Sequence, residues 1–181
     1  MITAPLLHAI TAGYRLELDG VHGLAHWARV LENGRRLATV TRADRRVVEL
    51  FAVLHDSCRV SEITDPDHGR RGADLARELR GDLIQLDDHA FDLLTYACET
   101  HTDGIREGDL TVCTCWDADR LDLGRCLIEP DPERLSTAAA RDPALLAWAD
   151  GRAHNFVVPK LVETVWRPML RQGEGGGSGD R

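Results

Sequence analysis

The chain has 181 residues, which is long enough for one domain with a sizeable hydrophobic core, and it contains no internal repeat. The chain has 22 basic and 30 acidic residues, and its net charge of −8 argues against an extended nucleic-acid-binding surface and against binding to anionic membranes. No window approaches the roughly 20 apolar residues of a membrane span and the first residues lack a signal-peptide pattern, so we expect a cytoplasmic protein with a small-molecule partner.

Helical periodicity dominates the chain and no long alternation of β-branched residues marks a sheet, so the sequence predicts an all-α fold. The first predicted helix covers about 23–41. Gly34 in its interior weakens this prediction, because glycine has a low helix propensity. The second begins after Asp44, a suitable N-cap, and its apolar residues recur at spacings of three and four. It ends at His55 and Asp56. An imidazole and a carboxylate at the end of a buried face are unusual unless something between helices binds both.

The remaining helices are predicted at 68–80, at 88–101, near 116–122, from Asp142, and from Pro159. The last of them is expected to end before Pro168, because proline disrupts a helix interior. The Gly-rich stretch 173–181 has nothing to bury and is predicted to be a disordered tail.

Side chains that can bind a metal occur at the ends or on the inner faces of several predicted helices. They are His26, His55, Asp56, His68, His101 and Asp119. A helical bundle can direct all six to one interior point. Nitrogen and oxygen ligands without thiolate favour Mg²⁺, Mn²⁺, Fe or Co over structural zinc, and the "CTC" stretch at 113–115 has no second Cys or His pair. The sequence therefore predicts a site for one or two divalent ions.

The order and local context of these residues resemble the HD-domain superfamily of metal-dependent phosphohydrolases. "HWARV" resembles its opening histidine element, "LHDSCR" its His-Asp pair, "HGRRGA" and "THTDG" its next histidine elements, and "DADRLD" its closing aspartate element. The resemblance covers about 22–125. The cyclic-dinucleotide branch differs, because here no Gly-Tyr-Pro element follows "THTDG" and His68 follows Asp56 more closely. The pattern instead resembles small HD proteins, which implies one HD-type metal-dependent hydrolase domain over 1–172.

The resemblance implies either a single metal site or two adjoining sites, because one-metal HD enzymes do without His68 and His101. The first site contains His26, His55, Asp56 and Asp119, and the second adds His68 and His101, with Asp56 as the bridge between them. Asp117 is the nearest competitor of Asp119 as a ligand. A metal-activated water would then attack a phosphate mono- or diester of a small molecule, such as a nucleotide.

Further residues are candidates for other steps of such a reaction. Asp56 is a catalytic residue as the bridging ligand, and His22 and Asp117 are both candidates to protonate the leaving group. Arg59 and Arg120 are candidates to bind the substrate, because a guanidinium group matches two phosphate oxygens.

Two other functions are compatible with the same sequence. An HD-fold di-iron oxygenase acting on a small molecule would use the same histidines and aspartates, and metal content would distinguish it from a hydrolase. A non-catalytic HD-like binding module is the weaker alternative, because all six ligands are present. The identity of the substrate, the choice of metal and the oligomeric state stay open at this point.

Overall fold

The regular parts of the chain are all helical in a computed structural model, which describes residues 2–173. The helices are α1 (Ala4–Ala12), α2 (Leu24–Thr41), α3 (Arg45–Leu54), α4 (His68–Glu78), α5 (Asp88–Thr100), α6 (Leu110–Arg120), α7 (Pro143–His154) and α8 (Arg167–Gly173). Short 3-10 turns lie at Leu123–Cys126 and Pro132–Arg134, and a π-helical turn lies at Val162–Trp166. The all-α prediction is confirmed, whereas the predicted tail lies outside the described residues except for Gly173. Within 2–173, no helix combines the length and apolar character needed to cross a bilayer.

Helix α2 packs against α3 and α6 and forms the centre of the fold. Its apolar face is fully buried, as the spacing of Trp27, Val30 and Leu31 predicts. Helix α3 begins at the predicted N-cap, where the side chain of Asp44 accepts a hydrogen bond from the backbone of Arg46. Every residue of α3 after its first turn is buried. This helix therefore delivers the residues at its C-terminal end into the interior.

Gly34 lies on the face of α2 that packs against Val48 of α3 and Ala118 of α6. A Cβ at this position would lie 2.4 Å from Cγ1 of Val48 and 3.4 Å from Cβ of Ala118. The glycine that weakens the sequence-based prediction is thus the residue that allows the central helices to pack together.

We expect Gly34→Ala to lower the free energy of unfolding by about 1–3 kcal/mol, because buried Val48 is β-branched and strongly prefers one rotamer in a helix. Gly151, in α7, is the matched control, since an added Cβ there meets nothing within 4 Å. Gly151→Ala should instead stabilise the protein by about 0.5–1 kcal/mol through helix propensity. Urea unfolding measures both variants, and equal effects would contradict this explanation of Gly34.

Helix α6 begins earlier than predicted, at Leu110 rather than near 116. The side chain of Asp109 caps it by accepting a hydrogen bond from the backbone of Thr111. Threonine and cysteine have modest helix propensity, so the sequence does not predict the first turns of α6. Burial of Cys115 and Trp116 between neighbouring helices supplies the stabilisation that propensity does not.

The C-terminal helical segment does not end before Pro168, which corrects the prediction. The π-helical turn Val162–Trp166 leads directly into α8, so the proline lies in the first turn of that helix. A π turn changes the hydrogen-bond register where proline cannot donate, which allows the helical path to continue. Helix α8 packs on α1, and His8 of α1 forms a 2.9 Å hydrogen bond with the carbonyl of Met169. The sequence gives no prediction for α1 itself.

Candidate metal centre

Four buried histidines converge where α2, α3, α4 and α5 meet. His26 lies in the first turn of α2, and His55 follows the last residue of α3. His68 is the first residue of α4, and His101 follows the last residue of α5. Each of the four is at most 5% exposed. The helix ends predicted from the sequence thus meet at one interior point.

The first cluster surrounds the Nε2 atoms of His26 and His55, which are 3.1 Å apart. Oδ1 of Asp119 lies 3.6 Å from both of these nitrogens. Oδ2 of Asp56 lies 3.4 Å from Nε2 of His26 and 3.7 Å from that of His55. Two imidazoles and two carboxylates therefore present one ligand atom each to a common point.

The second cluster adjoins the first through Asp56. Nε2 of His68 is 2.9 Å from Nε2 of His101. Oδ1 of Asp56 lies 3.0 Å from the former nitrogen and 3.8 Å from the latter. Asp56 thus directs one carboxylate oxygen at each cluster, which is the arrangement of a bridging ligand.

The tautomers of the histidines support cation binding. Each Nδ1 forms a hydrogen bond with an oxygen. For His26 the partner is Oδ2 of Asp122, at 2.8 Å. For the other three it is a backbone carbonyl: Phe51 for His55 (3.1 Å), Cys98 for His101 (2.7 Å) and Asp65 for His68. Carbonyl and carboxylate oxygens accept hydrogen bonds, so each Nδ1 carries the proton and each Nε2 carries a lone pair. Lone pairs that face each other at about 3 Å repel unless a positive charge lies between them.

The two carboxylates have the charge that a metal ligand needs. Burial opposes ionisation of Asp56, but positive charge on His55, His101 and His26 holds its pKa well below the usual range. When the Nε2 atoms are unprotonated, a bound cation would supply that positive charge instead. Burial likewise opposes ionisation of Asp119, but His55 and Arg125 hold its pKa well below the usual range. Oδ1 of Asp119 is also buried without a hydrogen-bond partner among residues 2–173. These donors therefore fit a divalent cation.

Two glycines explain how α4 brings His68 to the cluster. A Cβ on Gly69 would lie 2.3 Å from the carbonyl oxygen of Cys98 and 3.0 Å from the ring of His101. A Cβ on Gly72 would lie 2.4 Å from the carbonyl oxygen of Leu54. The "HGRRG" stretch is thus required by the close approach of α4 to the ends of α3 and α5.

Asp117 does not join the clusters, which corrects its two predicted roles. Its carboxylate accepts hydrogen bonds from the backbone of Ser136 (2.7 Å) and from the backbone and hydroxyl of Thr137 (both 2.8 Å). Burial raises its pKa, and these hydrogen bonds offset the rise only in part. Residues two apart on a helix point about 200° apart, so Asp117 and Asp119 cannot face the same point. Through these hydrogen bonds, Asp117 instead holds the segment after Pro132–Arg134 against α6.

Asp117→Asn is therefore expected to destabilise the metal-free protein by about 1–3 kcal/mol and to leave its metal content unchanged. An amide nitrogen cannot accept a hydrogen bond, so a buried donor at Ser136 or Thr137 loses its partner. Asp119→Asn is the matched variant, and it should lose the metal of the first cluster with little effect on metal-free stability. Urea unfolding and elemental analysis measure both properties, and the opposite pattern would reverse the two assignments.

The two arginines predicted to bind substrate have different surroundings. Arg59 lies in the second cluster, where its Nη1 is 3.0 Å from Nε2 of His68 and donates to Oδ1 of Asp56 at 3.3 Å. Arg120 donates to the carbonyls of Ile105 (2.6 Å) and Arg134 (3.1 Å) and so holds two loops together. Its guanidinium is thus occupied by the protein itself, which argues against the predicted contact with phosphate.

His22 lies beside the clusters, with its ring centroid 6.1 Å from that of His26. Its Nδ1 pairs with the carboxylate of Glu62, and burial lowers its pKa to about 4. At neutral pH the imidazole is therefore uncharged, and Nδ1–H is donated to Glu62. The remaining nitrogen is an acceptor, which weakens the predicted role of His22 as a direct proton donor.

Three further charged residues complete the site and were missed from the sequence. Asp122 orients His26 and accepts two hydrogen bonds from Arg29, at 2.7 and 3.0 Å. Arg125, in the 3-10 turn, places its guanidinium 3.7 Å from Asp119. The position of Asp122 in "DADRLD" and that of Arg29 one turn after His26 were available signals. Arg125 lies outside every helical pattern, so no signal in the sequence indicated its role.

A cavity of about 900 Å³ opens onto the clusters at His101 and Asp119. Its other walls come from the loop after α5 and from the segment around 128–135, and they include Arg106 and Arg134. The cavity thus involves chain beyond 22–125, the part covered by the sequence resemblance.

No family model matches the chain, and no curated protein matches it. Its fold, however, is similar to the crystal structure of a predicted HD superfamily hydrolase from an uncultured Thermotogales bacterium, with a TM-score of 0.60. The chain has the HD-domain fold. The similarity covers 92% of this chain and 91% of the other at 24% sequence identity. The HD-type fold predicted from the ordered histidine and aspartate elements is confirmed, and it extends past those elements.

Proposed function

We propose that the protein is a metal-dependent phosphohydrolase that cleaves a small-molecule phosphate ester. The observation that supports this most strongly is the position of Asp56 between two pairs of histidines whose Nε2 atoms carry lone pairs. Two metal ions a few ångströms apart are a recurrent arrangement in enzymes that hydrolyse phosphate esters. The predicted ligand set, with one or two ions of Mn, Mg, Fe or Co, is retained as part of the proposal.

A bound divalent cation would activate water as the nucleophile and withdraw charge from a phosphoryl oxygen. The histidines reduce the cost of binding because their Nδ1 contacts already hold the rings in place. Asp56 would hold the two sites at a fixed separation. Arg59, beside Asp56 and His68, would offer positive charge where negative charge accumulates in the transition state.

Departure of the leaving group requires a proton, which the pair of His22 and Glu62 would deliver. The side chain of Glu62 is 37% exposed, whereas that of His22 is 5% exposed. Nδ1 already carries the proton that it donates to Glu62, so water would protonate the other ring nitrogen of His22. That nitrogen would pass the proton to the leaving group while the Glu62 carboxylate stabilises the imidazolium. In this proposal His22 relays a proton instead of storing one.

The cavity supports a small substrate such as a nucleotide. Its volume of about 900 Å³ lies within the range of small-molecule sites. Arg106 and Arg134 in its walls could contact further anionic groups, and Leu123, Ile128 and Leu135 provide apolar surface for a base or another ring. The net charge of −8 gives no support for an extended nucleic-acid partner.

The proposal is tested by metal analysis of protein purified without added metal, together with a hydrolysis screen over nucleotides, phosphomonoesters and phosphodiesters. We expect one or two divalent ions per chain and hydrolysis that a chelator abolishes. Retention of two irons with O₂-dependent turnover and no hydrolysis would indicate the oxygenase alternative. A protein that binds no metal and hydrolyses nothing would be a binding module.

A further inference from the structure

Arg125 is a buried arginine with most of its hydrogen-bonding capacity unused. It is 6% exposed, and its guanidinium makes a single hydrogen bond to the described residues, from Nη1 to the carbonyl of Asp122 at 3.1 Å. Its Nε is buried without a partner within residues 2–173. Its Nη2 lies 3.8 Å from Oδ2 of Asp56, which is too far for a hydrogen bond. The edge of the guanidinium formed by Nε and Nη2 is therefore free.

A buried donor without a partner costs stability, so a free arginine edge requires an explanation. Arg29 is a useful comparison, because it is also buried beside Asp122 but forms two hydrogen bonds to that carboxylate, at 2.7 and 3.0 Å. Arg125 does not approach any of the three neighbouring carboxylates closely enough to do the same, with N···O distances of 3.7–3.8 Å. The neutralisation of these carboxylates therefore does not explain why the Nε and Nη2 groups of Arg125 have no hydrogen-bond partner among the described residues.

The charge balance of the site also points to an anionic ligand. Three carboxylates and three guanidinium groups meet at the clusters: Asp56, Asp119 and Asp122 with Arg29, Arg59 and Arg125. Their charges cancel before any cation binds. A divalent cation in either cluster would leave a net positive charge, which an anion beside Asp56 and Asp119 would neutralise.

We infer that Arg125 binds the phosphoryl group of the substrate through its Nε and Nη2 edge. The two parallel N–H groups match two oxygens of a phosphate. The guanidinium lies 3.8 Å from Asp56 and 3.7 Å from Asp119, which both belong to the first metal cluster. This inference rests on the proposed phosphohydrolase function. It assigns to Arg125 the contact that the sequence analysis assigned to Arg120, whose donors are occupied by carbonyl oxygens.

The test uses inorganic phosphate as the probe on Mg²⁺-loaded protein. Arg125→Gln retains an N–H group near the Asp122 carbonyl but removes the guanidinium fork. We expect calorimetric titration to show phosphate affinity at least about tenfold weaker than in the wild type, with metal content unchanged. Arg70→Gln is the control for loss of one positive charge, because Arg70 lies on the outer face of α4 with a 59% exposed side chain. Its phosphate affinity should equal that of the wild type.

A second measurement needs no variant. In ¹⁵N-resolved spectra of the Mg²⁺-loaded wild type, phosphate should shift the Nε–H signal of Arg125 and leave that of Arg29 in place. Equal phosphate affinity in Arg125→Gln and the wild type, or an unmoved Arg125 signal in a protein that binds phosphate, would overturn the inference while the proposed function stands. A wild type that hydrolyses esters without binding phosphate would also overturn it. A wild type that neither binds phosphate nor hydrolyses any ester would remove the proposed function as well.

Discussion

Asp56→Ala is expected to remove bound metal from both clusters and to abolish hydrolysis. Asp56 directs Oδ2 at His26 and His55 and Oδ1 at His68, so no other side chain can replace it in either cluster. Metal per chain should fall to background in elemental analysis. A saturating metal concentration of 100 times Kd should stabilise the wild type by about 2.7 kcal/mol but leave the variant unaffected in thermal unfolding.

Two matched variants identify the cause of that loss. Asp119→Ala removes a ligand of the first cluster only, so it should retain metal in the second. Asp92→Ala removes an exposed aspartate on α5 and should match the wild type in metal content and activity. Helical content of all three should be unchanged in circular dichroism, because Asp56 follows the end of α3 and the other two are side chains on intact helices. Stoichiometric metal in Asp56→Ala would show that the ligand assignment is wrong.

The sequence is informative about this site because its ligands lie at the ends of strongly amphipathic helices. The spacing of apolar residues in α3 determines which face is buried, and His55 and Asp56 directly follow that face. The same reasoning applies to α5 and His101. Where the hydrophobic pattern sets the direction of a helix, it also sets the position of the residue that follows it.

Sequence reasoning fails where tertiary contacts decide the conformation. The rotation of α6 follows from its packing on α2, and only that rotation distinguishes Asp119, which faces the clusters, from Asp117, which faces 136–137. Arg125 lies in a short 3-10 turn whose position depends on contacts with α7. No periodicity predicts such a turn, so the arginine with the free guanidinium edge could be found only in the structure.

His68→Ala is expected to reduce metal content from about two ions per chain towards one. His68 supplies Nε2 to the second cluster, 3.0 Å from Oδ1 of Asp56. The first cluster is formed without it, by His26, His55, Asp56 and Asp119. A single remaining ion could not stabilise both the attacking and the leaving oxygen. We therefore expect kcat to fall by about 100-fold, which corresponds to a loss of about 2.7 kcal/mol of transition-state stabilisation.

The outcome of His68→Ala also separates two explanations of the contact between Arg59 and His68. If the second cluster holds a metal, the wild type should bind two ions and the variant one, and activity should fall with the lost ion. If Arg59 instead supplies the positive charge of that cluster, the wild type and the variant should both bind one ion per chain. Metal titration followed by calorimetry distinguishes these results directly. One ion in both proteins would establish a one-metal site and would exclude a di-iron oxygenase, because that chemistry requires both ions.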